Sequence, residues 1–464
     1  MNEQTRNTLG SICEQIQLPQ NNIEALELTG DDPVLPSSFK IGVAAQSAIA
    51  TAAMAANEIW HQRTGKRQKI KCDMGHAAIE FRSERYQRIN GKPPPNLWDK
   101  IAGTYQTGDG RWVRLHTNFA HHRDGILDLL DCENNRDAVN EALSNWKGQQ
   151  FEDAIAECGL VATMMRTREE WNAHPQAKAL DKQPLISLER IGDCSSRILT
   201  KTDRPLSGIR VLDLTRIIAG PVCGRTLAAH GADVMRLTAP HLPSVPALVT
   251  DAGRGKLSAH LDLNTETDTE TLRSLIADAD IFVQGYRPGR IARYGFSPED
   301  VAAIKPGIIY VTLTAYGHEG PWSVRAGFDS LVQTASGINH AEAEAKGSYE
   351  PVALPCQALD HASGYFMAAA AMATLARQAR EGGSWHIRIS LARTGRWLQG
   401  LGQIENGFDC QDPDQEDLLD LMEASNSGYG QMTAVRHSAQ MSDTPCYWER
   451  PSMPLGSHAA VWPN

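Results

Sequence analysis

One aspartate stands where covalent chemistry could take place. In the segment QALDHASGYFMAAAAM (357–372), Asp360 directly precedes a small-residue turn and a long apolar run. A carboxylate at the edge of an apolar element is partly desolvated, which raises its pKa and makes the anion a stronger nucleophile. Asp is also a preferred helix N-cap, and the residues alone favour that structural role over a catalytic one.

A second group of candidates is basic and lies near the ends of predicted strands. Its members are Arg236, Arg254, Lys256, Arg287 and Arg293. Ligands of an open parallel sheet bind outside the carboxyl ends of its strands. A diphosphate bound there would need such cations together with helix N-terminal amides. The alternative for each of these residues is an ordinary solvated surface charge.

Other kinds of site find little support. His116, His121 and His122 lie close in sequence, but the two adjacent side chains normally diverge, so we expect no metal site. The turn IIAGPVCG carries Gly220 and Gly224, which do not form the GxGxxG pattern of dinucleotide-binding oxidoreductases. The sequence also contains no GxSxG, HExxH or Walker motif.

The composition of this 464-residue chain argues against several classes of protein. A formal net charge of −10 argues against a nucleic-acid partner, which usually needs a basic face. The nine cysteines form no CxxC pair, so we expect reduced thiols and a cytoplasmic protein. The N-terminus lacks the basic start and apolar core of a signal peptide. No run reaches the roughly 18 apolar residues of a membrane span, so we expect no membrane partner.

The elements that must position these residues are short apolar strands that alternate with helices. Strands are predicted at 208–215, 232–237, 256–263, 280–286 and 307–317, and the helices between them include 220–231 and 265–279. This alternation predicts an α/β fold with a doubly wound, Rossmann-like parallel sheet and helices on both faces. Thr-Gly-Asp-Gly in 101–117 predicts a hairpin in a second, smaller α+β domain.

Changes in composition predict the domain boundaries. The predicted units are an N-terminal helical segment (1–92), a small α+β domain (93–185), a linker (186–205), a nucleotide-fold domain (206–440) and a C-terminal tail (441–464). The N-terminal segment also contains a weak internal echo. Residues 41–76 and 358–393 both run through an alanine-rich helix, a glycine stop and a short strand. Two unrelated buried helices followed by strands remain the alternative.

Residues 206–396 resemble the core of the class III CoA-transferase family, which includes formyl-CoA and carnitine CoA-transferases and α-methylacyl-CoA racemases. The resemblance is carried by LSGIRVLDLTRIIAGPVCGRTLAAHGADVMRL, GRGKLSAHLDL, ADIFVQGYRPGRIARYGFSPEDV, PGIIYVTLTAYGHEGPW, GFDSLVQTASG and ALDHASG. The segment YQTGDGRWVRLH resembles that family's second domain, which here precedes the nucleotide-fold part instead of following it. The chain therefore resembles a permuted or partly duplicated member, in which Asp360 aligns near Val43 of the first copy, so that only the second copy can supply the aspartate.

The resemblance implies a function and a set of site residues. Asp360 would be the nucleophile that carries CoA between carboxylic acids through a mixed anhydride and an aspartyl-CoA thioester. The family's CoA contacts fall on Ile217, Leu261, Tyr286 and Arg293. Two usual basic contacts fall on Ala239 and Asn264, and the usual Asn before Tyr286 is Gly285, so Arg236, Arg254 and Lys256 are expected to hold the phosphates.

The resemblance leaves two alternatives to a transferase. A racemase needs a His beside the Asp as a second base, but that His position is Phe328 here, so a transferase is favoured. A non-catalytic CoA-binding homologue is the other alternative. Ile218 replaces a polar residue that assists the nucleophile in some relatives, which weakens an assignment to formyl or oxalyl substrates. The family also implies a homodimer whose substrates are an acyl-CoA and a carboxylic acid.

Overall fold

Short apolar strands and helices alternate along most of the chain in the computed structural model, which describes residues 3–463. The strands are β1 (Leu26–Thr29), β2 (Ile70–Asp73), β3 (Arg88–Ile89), β4 (Gly103–Gln106), β5 (Trp112–Leu115), β6 (Ala162–Met164), β7 (Ser187–Gly192), β8 (Arg210–Leu214), β9 (Asp233–Thr238), β10 (Lys256–His260), β11 (Ile281–Gln284), β12 (Ile309–Thr314), β13 (Ser384–Ser390), β14 (Met422–Ser427), β15 (Gly430–Val435) and β16 (Ala439–Met441).

The helices fill the intervals between these strands. They are α1 (Glu3–Gln15), α2 (Ile41–Thr64), α3 (Met74–Glu80), α4 (Ser83–Tyr86), α5 (Ala120–Leu130), α6 (Arg136–Leu143), α7 (Gly148–Glu157), α8 (Arg168–Ala173), α9 (Pro175–Leu180), α10 (Ala219–Ala229), α11 (Pro246–Ala252), α12 (Glu266–Ala277), α13 (Pro298–Ile304), α14 (Asp329–Ala335), α15 (Ile338–Lys346), α16 (Ala358–Glu381) and α17 (Leu391–Gly400). Short 3-10 helices lie at Gln20–Ala25, Ala292–Tyr294, Gly407–Asp409 and Leu419–Leu421.

The largest sheet has seven strands in the order β10-β9-β8-β11-β12-β13-β7. All neighbouring pairs are parallel except β13 with β7. Alternate residues face two separate apolar cores: Val211 and Ile281 pack with α10 and α16, whereas Leu212 and Phe282 pack with α12 and α13. Helices therefore cover both faces of the sheet, and the predicted α/β class with a large, mostly parallel sheet is confirmed.

Two alanine-rich helices, α2 and α16, pack against each other beneath the sheet. Each has 24 residues and is buried along nearly its whole length. Alanine side chains keep the helix surfaces narrow, which allows two such helices to pack closely. When the two helices are matched from their first residues, Val43 and Asp360 occupy the same position. The weak echo in the sequence thus corresponds to two helices of equal length that face each other.

The small α+β region has its own core and contains the predicted hairpin. Strands β4, β5 and β6 form an antiparallel sheet, and α5, α6 and α7 pack near it. Its apolar core lies between Ile101 and Met164. The end of the predicted 93–185 domain packs elsewhere, because the Gln176 side chain donates a 2.7 Å hydrogen bond to the Tyr316 carbonyl after β12.

Two stretches that the sequence suggested as linker and tail belong to the folded body. The predicted linker (186–205) contains β7, which pairs with the edge of the large sheet beside β13. The predicted tail (441–464) covers the opposite edge, where Ser258 and His458 exchange two hydrogen bonds. The N-terminal segment is not independent either, since β2 pairs with β16. Such pairings join residues that are distant along the chain, so local composition cannot reveal them.

The structure also bears on a membrane location. Among residues 3–463, the helices do not combine the length and the apolar character that crossing a bilayer demands.

Candidate active site

A crevice of about 550 Å³ opens at the carboxyl ends of the central strands. Leu214, Thr238 and Thr314 line it at the ends of β8, β9 and β12, and Gly285 follows β11. Strand order reverses between β8 and β11, the point at which open α/β sheets form their ligand crevices. The volume lies in the range of small-molecule and cofactor sites.

Asp360 lies at the inner end of this crevice, in the first turn of α16. Only 6% of the residue is exposed, and within residues 3–463 its carboxylate accepts no hydrogen bond. Burial raises its pKa well above the ordinary value, and the nearby charges of Asp329 and Glu84 raise it further. The carboxylate therefore does not act as a helix cap, the structural role that the residues alone favoured.

The first turn of α16 is held by a different carboxylate, that of Asp329. This fully buried side chain accepts the Asp360 backbone N–H at 2.9 Å and a further hydrogen bond from the Gln333 amide. Burial raises the pKa of Asp329 to about 6. In the sequence, Asp329 stands in the GFDSLVQ segment, and no role was predicted for it. The signal was an acidic residue inside a motif that otherwise reads as apolar helix.

Five of the predicted cofactor-binding residues line the crevice. They are Ile217, Leu261, Asn264, Tyr286 and Arg293, all located at or just beyond strand ends. Ile217 has a φ of +75°, in the left-handed region that is strained for a β-branched residue. Asn264 accepts a hydrogen bond from the Tyr294 hydroxyl, which in turn accepts one from Arg293. The residues that were chosen because they lie near strand ends thus include apolar lining of the crevice and one of the predicted cations, Arg293.

The other three predicted phosphate ligands do not line this crevice. Lys256 is fully buried and forms a 2.8 Å ion pair with Asp213 and a 2.7 Å hydrogen bond to the Pro221 carbonyl. Arg254 is buried against Asp251 at 3.0 Å. Arg236 lies in a smaller adjoining pocket and is also buried. Lys256 and Arg254 lie at the amino end of β10, so their side chains stabilise the interior rather than the ligand edge.

Different cations line the crevice. Arg216 is the second residue after β8, whereas Arg287 and Arg290 follow β11. The Arg287 guanidinium donates a 3.1 Å hydrogen bond to the Gly159 carbonyl of the small α+β region. Arg216 lies over the Phe119 ring, 5.2 Å from its centroid. Arg287 was among the basic candidates, but Arg216 was overlooked although its position after a strand was readable.

The small α+β region supplies histidines to the same crevice. His121 and His122 line it, and burial followed by nearby charged groups lowers both pKa values, that of His122 to about 4. His116 lies deeper and stacks on Phe328 with 3.9 Å between ring centroids. Burial, and then Arg114, lowers the pKa of His116 to about 3. These imidazoles are therefore neutral near pH 7, which leaves the arginines as the positive charges of the site.

A second, smaller cavity of about 50 Å³ lies on the other side of Asp360. Both cavities are lined by Asp360, Ile217, Phe119 and Phe328, so they meet at the carboxylate. This cavity could not be predicted from the sequence, because the N-terminal segment, the small α+β region and the first turn of α16 together form its walls. A group bound in the crevice and a group bound in the smaller cavity would both reach Asp360.

A group of possible metal ligands lies apart from both cavities. One ligand atom each from His230, His437 and Cys446 falls within 4.8 Å of the others. His437 Nδ1 already accepts the Ala439 N–H at 3.1 Å, which places the ring proton on Nε2 and leaves that nitrogen without a free lone pair. The donor set therefore suits a metal poorly.

The segment that contains Asp360 and most of the crevice lining matches a known protein family. Residues 206–417 match CoA-transferase family III. This segment, which is less than half of the chain, is similar to that family.

Several relatives extend the likeness beyond the matched segment. An acetyl-coenzyme A transferase of Hypoxylon pulicicidum, nodX, is 39% identical over 322 residues, covering 64% of this chain and 54% of its own length. An acyl-CoA transferase of Gibberella moniliformis is 28% identical over 414 residues, covering 80% of this chain and 72% of its own length. The crystal structure of a CaiB/BaiF family protein from Brucella suis is 27% identical, with a TM-score of 0.39 and coverage of 50% of this chain and 65% of that one.

These matches cover only part of each relative's length. The chain spans about half the length of the Hypoxylon relative and just under three quarters of the Gibberella relative.

Proposed function

We propose that this protein is a CoA-transferase that moves coenzyme A between carboxylic acids, with Asp360 as its covalent nucleophile. The observation that supports the proposal most directly is the position of Asp360. Among the residues that the structure describes, none donates a hydrogen bond to this buried carboxylate, which lies where a cofactor-sized crevice meets a small cavity. The segment around it matches CoA-transferase family III, and the relatives above are named acetyl-CoA and acyl-CoA transferases.

The crevice suits coenzyme A in size and charge. The order of the six parallel strands, numbered along the chain, is 3-2-1-4-5-6, which is the order of Rossmann-like sheets and supports that finer description of the fold. Arg216, Arg287 and Arg293 supply guanidinium groups that suit phosphate oxygens. Leu261 and Tyr286 supply apolar surface for the adenine and the pantetheine arm. The pantetheine thioester would then extend inward to Asp360.

The proposed reaction proceeds through covalent intermediates at Asp360. The carboxylate attacks the thioester carbonyl of the donor, a mixed anhydride forms, and the CoA thiolate leaves. The thiolate then attacks the Asp360 carbonyl and releases the donor acid, which takes one oxygen of the aspartate. The acceptor carboxylate attacks the aspartyl-CoA thioester, and the returning thiolate carries away the new acyl group as acyl-CoA, so that one acceptor oxygen restores Asp360.

The surroundings of Asp360 serve this chemistry in three ways. A poorly solvated carboxylate is a stronger nucleophile, because no water shell has to be removed before attack. Backbone N–H groups near the small-residue turn are the candidates for stabilising the oxyanion of each tetrahedral intermediate. The positive end of the α16 dipole lies beside the same carboxylate and favours its ionised form.

The racemase alternative is less well supported by the site. Phe328 occupies the position where a racemase would carry its second base, and the nearest ring, His116, stacks flat on it. His116 Nδ1 lies 3.4 Å from the Ser330 hydroxyl rather than in the crevice. Deuterium exchange at the α-carbon of a branched acyl-CoA would support the racemase, and its absence with active CoA transfer supports the transferase.

Trapping of the covalent intermediate tests the proposed function. The wild-type protein and the Asp360→Asn variant are incubated with acetyl-CoA and then treated with hydroxylamine or borohydride. Mass spectrometry of the peptide that contains Asp360 should show a hydroxamate or a reduced side chain in the wild type alone. CoA binding without any modification at Asp360 would favour a non-catalytic CoA-binding homologue.

Two expectations about the whole protein remain proposals. Residues from both the small α+β region and the large-sheet region of a single chain, such as His121 and Arg216, line the crevice. The homodimer that the family resemblance implies is therefore compatible with this site but is not needed to complete it. The cytoplasmic location inferred from the cysteine pattern likewise remains a prediction.

A further inference from the structure

The pocket that contains Arg236 is a separate small space behind the wall of the crevice. Its volume is about 30 Å³, and one water needs at least roughly 10–15 Å³ by the same measure, so it holds about two water-sized particles. Arg216, Ile217, Thr238 and Leu242 line both the pocket and the crevice, so the two spaces adjoin. A phosphate group of coenzyme A is larger than this pocket.

Arg236 is buried in the pocket without a carboxylate partner. Only 3% of the residue is exposed, and within residues 3–463 its guanidinium forms no ion pair. Its terminal nitrogens make two long hydrogen bonds, of 3.4 Å each, to the Val249 carbonyl and the Ser258 hydroxyl. Arg236 Nε has no hydrogen-bond partner in that part of the chain. A buried charge without a partner is costly, so an anion that reached this side chain would be bound favourably.

The acid opposite Arg236 in the sheet is committed to other partners. Asp213 lies beside Arg236 on β8, but its carboxylate accepts a 2.8 Å hydrogen bond from Lys256 Nζ and another from the Thr215 hydroxyl. Burial lowers the pKa of Arg236, and Asp213 opposes that effect only from a distance. Among the residues that the structure describes, no acidic side chain lines the pocket, whereas two arginines, Arg216 and Arg236, do.

A second unused donor lies in the same wall. Thr238 follows Arg236 by two residues on β9, so both side chains project from the same face of the strand. Thr238 Oγ1 is buried, and none of residues 3–463 forms a hydrogen bond with it. Helix α10 also begins at the pocket, where Pro221 lines it, and its N-terminus has no side-chain cap. The positive end of that helix dipole favours an anion as well.

From these observations we infer that the pocket binds a small monovalent anion, such as chloride, between Arg236 Nε and the Thr238 hydroxyl. Both groups donate hydrogen bonds to the ion, while Pro243, Val245 and Leu248 form apolar walls that exclude larger anions. The inference does not depend on the proposed function, because no step at Asp360 involves Arg236. It assigns Arg236 to charge balance instead of the CoA-phosphate contact that the sequence suggested.

The bound anion should stabilise the folded protein. Ile217 lines the pocket, the crevice and the cavity beside Asp360, and its φ of +75° is strained. An ion in the pocket therefore packs against the turn that separates these three spaces. The site exists only when β9 and the loop at 243–249 are folded together, and an ion that binds only the folded state raises its stability.

Thermal unfolding at constant ionic strength tests the inference. The full-length protein is heated in mixtures of sodium chloride and sodium gluconate, because gluconate is too large for the pocket. A rise in chloride from about 5 to about 200 mM should raise the Tm by about 1–2 °C, the shift that saturation of one weak site gives in a chain of this length. A Tm that does not respond to chloride would overturn the inference.

Variants of the two donors separate binding in the pocket from general effects of salt. Arg236→Met should abolish the response to chloride without itself lowering the Tm, because it fills the space and removes an unpaired buried charge. Thr238→Val keeps the shape of the side chain and should weaken the apparent affinity for chloride about 5- to 10-fold. Arg380→Met is the control: Arg380 is exposed at the far end of α16, so the wild-type response should persist.

Crystals soaked in sodium bromide locate the ion directly. Anomalous scattering should show bromide within hydrogen-bonding distance of Arg236 Nε and Thr238 Oγ1 in the wild type, and no peak there in Arg236→Met. A pocket that contains only water, or a chloride response that persists in Arg236→Met, would overturn the inference. If chloride has no effect on the wild type and Arg236→Met raises the KM for acyl-CoA about 10-fold, Arg236 is a CoA ligand instead.

Discussion

Replacement of Asp360 by asparagine should stabilise the protein at neutral to alkaline pH while it abolishes transfer. Asp360 is 6% exposed, its carboxylate accepts no hydrogen bond within residues 3–463, and the carboxylates of Asp329 and Glu84 lie near enough to raise its pKa. An ionised group in such a place is costly, whereas an asparagine has the same shape without the charge. We expect the free energy of unfolding to increase by about 1–3 kcal/mol, the usual scale for a poorly compensated polar or charged group.

The pH dependence of this difference has a definite sign. Because the pKa of Asp360 is raised in the folded protein, the folded state binds the proton more tightly than the unfolded state, whose pKa is about 4. Below that value both states carry a neutral carboxyl group, and wild type and variant should have equal stability. The wild type then loses stability as pH rises through the folded-state pKa of Asp360. The advantage of the asparagine variant should therefore grow with pH and level off above that pKa.

Urea unfolding followed by tryptophan fluorescence measures this effect, since the chain contains ten tryptophans. Curves are recorded for both proteins at pH 5.0, 6.5 and 8.5. Asp193→Asn is the control, because the side chain of Asp193 is 97% exposed and its loss should produce no pH-dependent difference. If the Asp360 variant were less stable than wild type at pH 8.5, the carboxylate would stabilise the fold. The proposal of a poorly solvated, destabilising nucleophile would then be refuted.

Three further predictions concern neighbouring charges. Arg216→Gln and Arg287→Gln should each raise the KM for acyl-CoA about 10-fold with little change in kcat, as loss of one charged hydrogen bond to phosphate predicts; an unchanged KM in steady-state assays would contradict their phosphate role. Lys256→Met should lower the free energy of unfolding in urea by about 3–5 kcal/mol, because it leaves the buried carboxylate of Asp213 without its positive partner. A variant that stays stable but binds CoA more weakly would instead indicate that Lys256 contacts the CoA phosphates. Asp329→Asn removes a charge that raises the pKa of the nucleophile, so the acid limb of the kcat/KM profile should move to lower pH, and an unmoved limb would show that this charge is unimportant.

Local patterns predicted the elements of the large sheet well. The predicted strand at 208–215 and the helix at 265–279 differ from β8 and α12 by only a few residues, because short apolar runs and capping residues act over short distances. The same patterns placed Asp360 at the start of a buried helix. They could not show that Lys256 is buried rather than at the ligand edge. Its side chain pairs with Asp213, which lies 43 residues away in the sequence. They also missed β7, whose partner strand lies nearly 200 residues later in the chain.

The first turns of α2 and α16 share some features, and other features are found at α16 alone. In α2, the Asp32 carboxylate accepts the backbone N–H groups of Gly42 and Val43, both at 2.9 Å, much as Asp329 accepts the N–H of Asp360 in α16. Burial raises the pKa of both capping carboxylates. A buried acid that holds the first turn is therefore part of the shared scaffold, whether or not chemistry follows. The two helices differ at their third residue. In α2 this residue is Val43, whereas in α16 it is Asp360, whose carboxylate faces two cavities. In α2 the corresponding side chain, that of Val43, is buried in the apolar core. One helix of the pair thus supplies packing, and the other places the proposed nucleophile beside the two cavities.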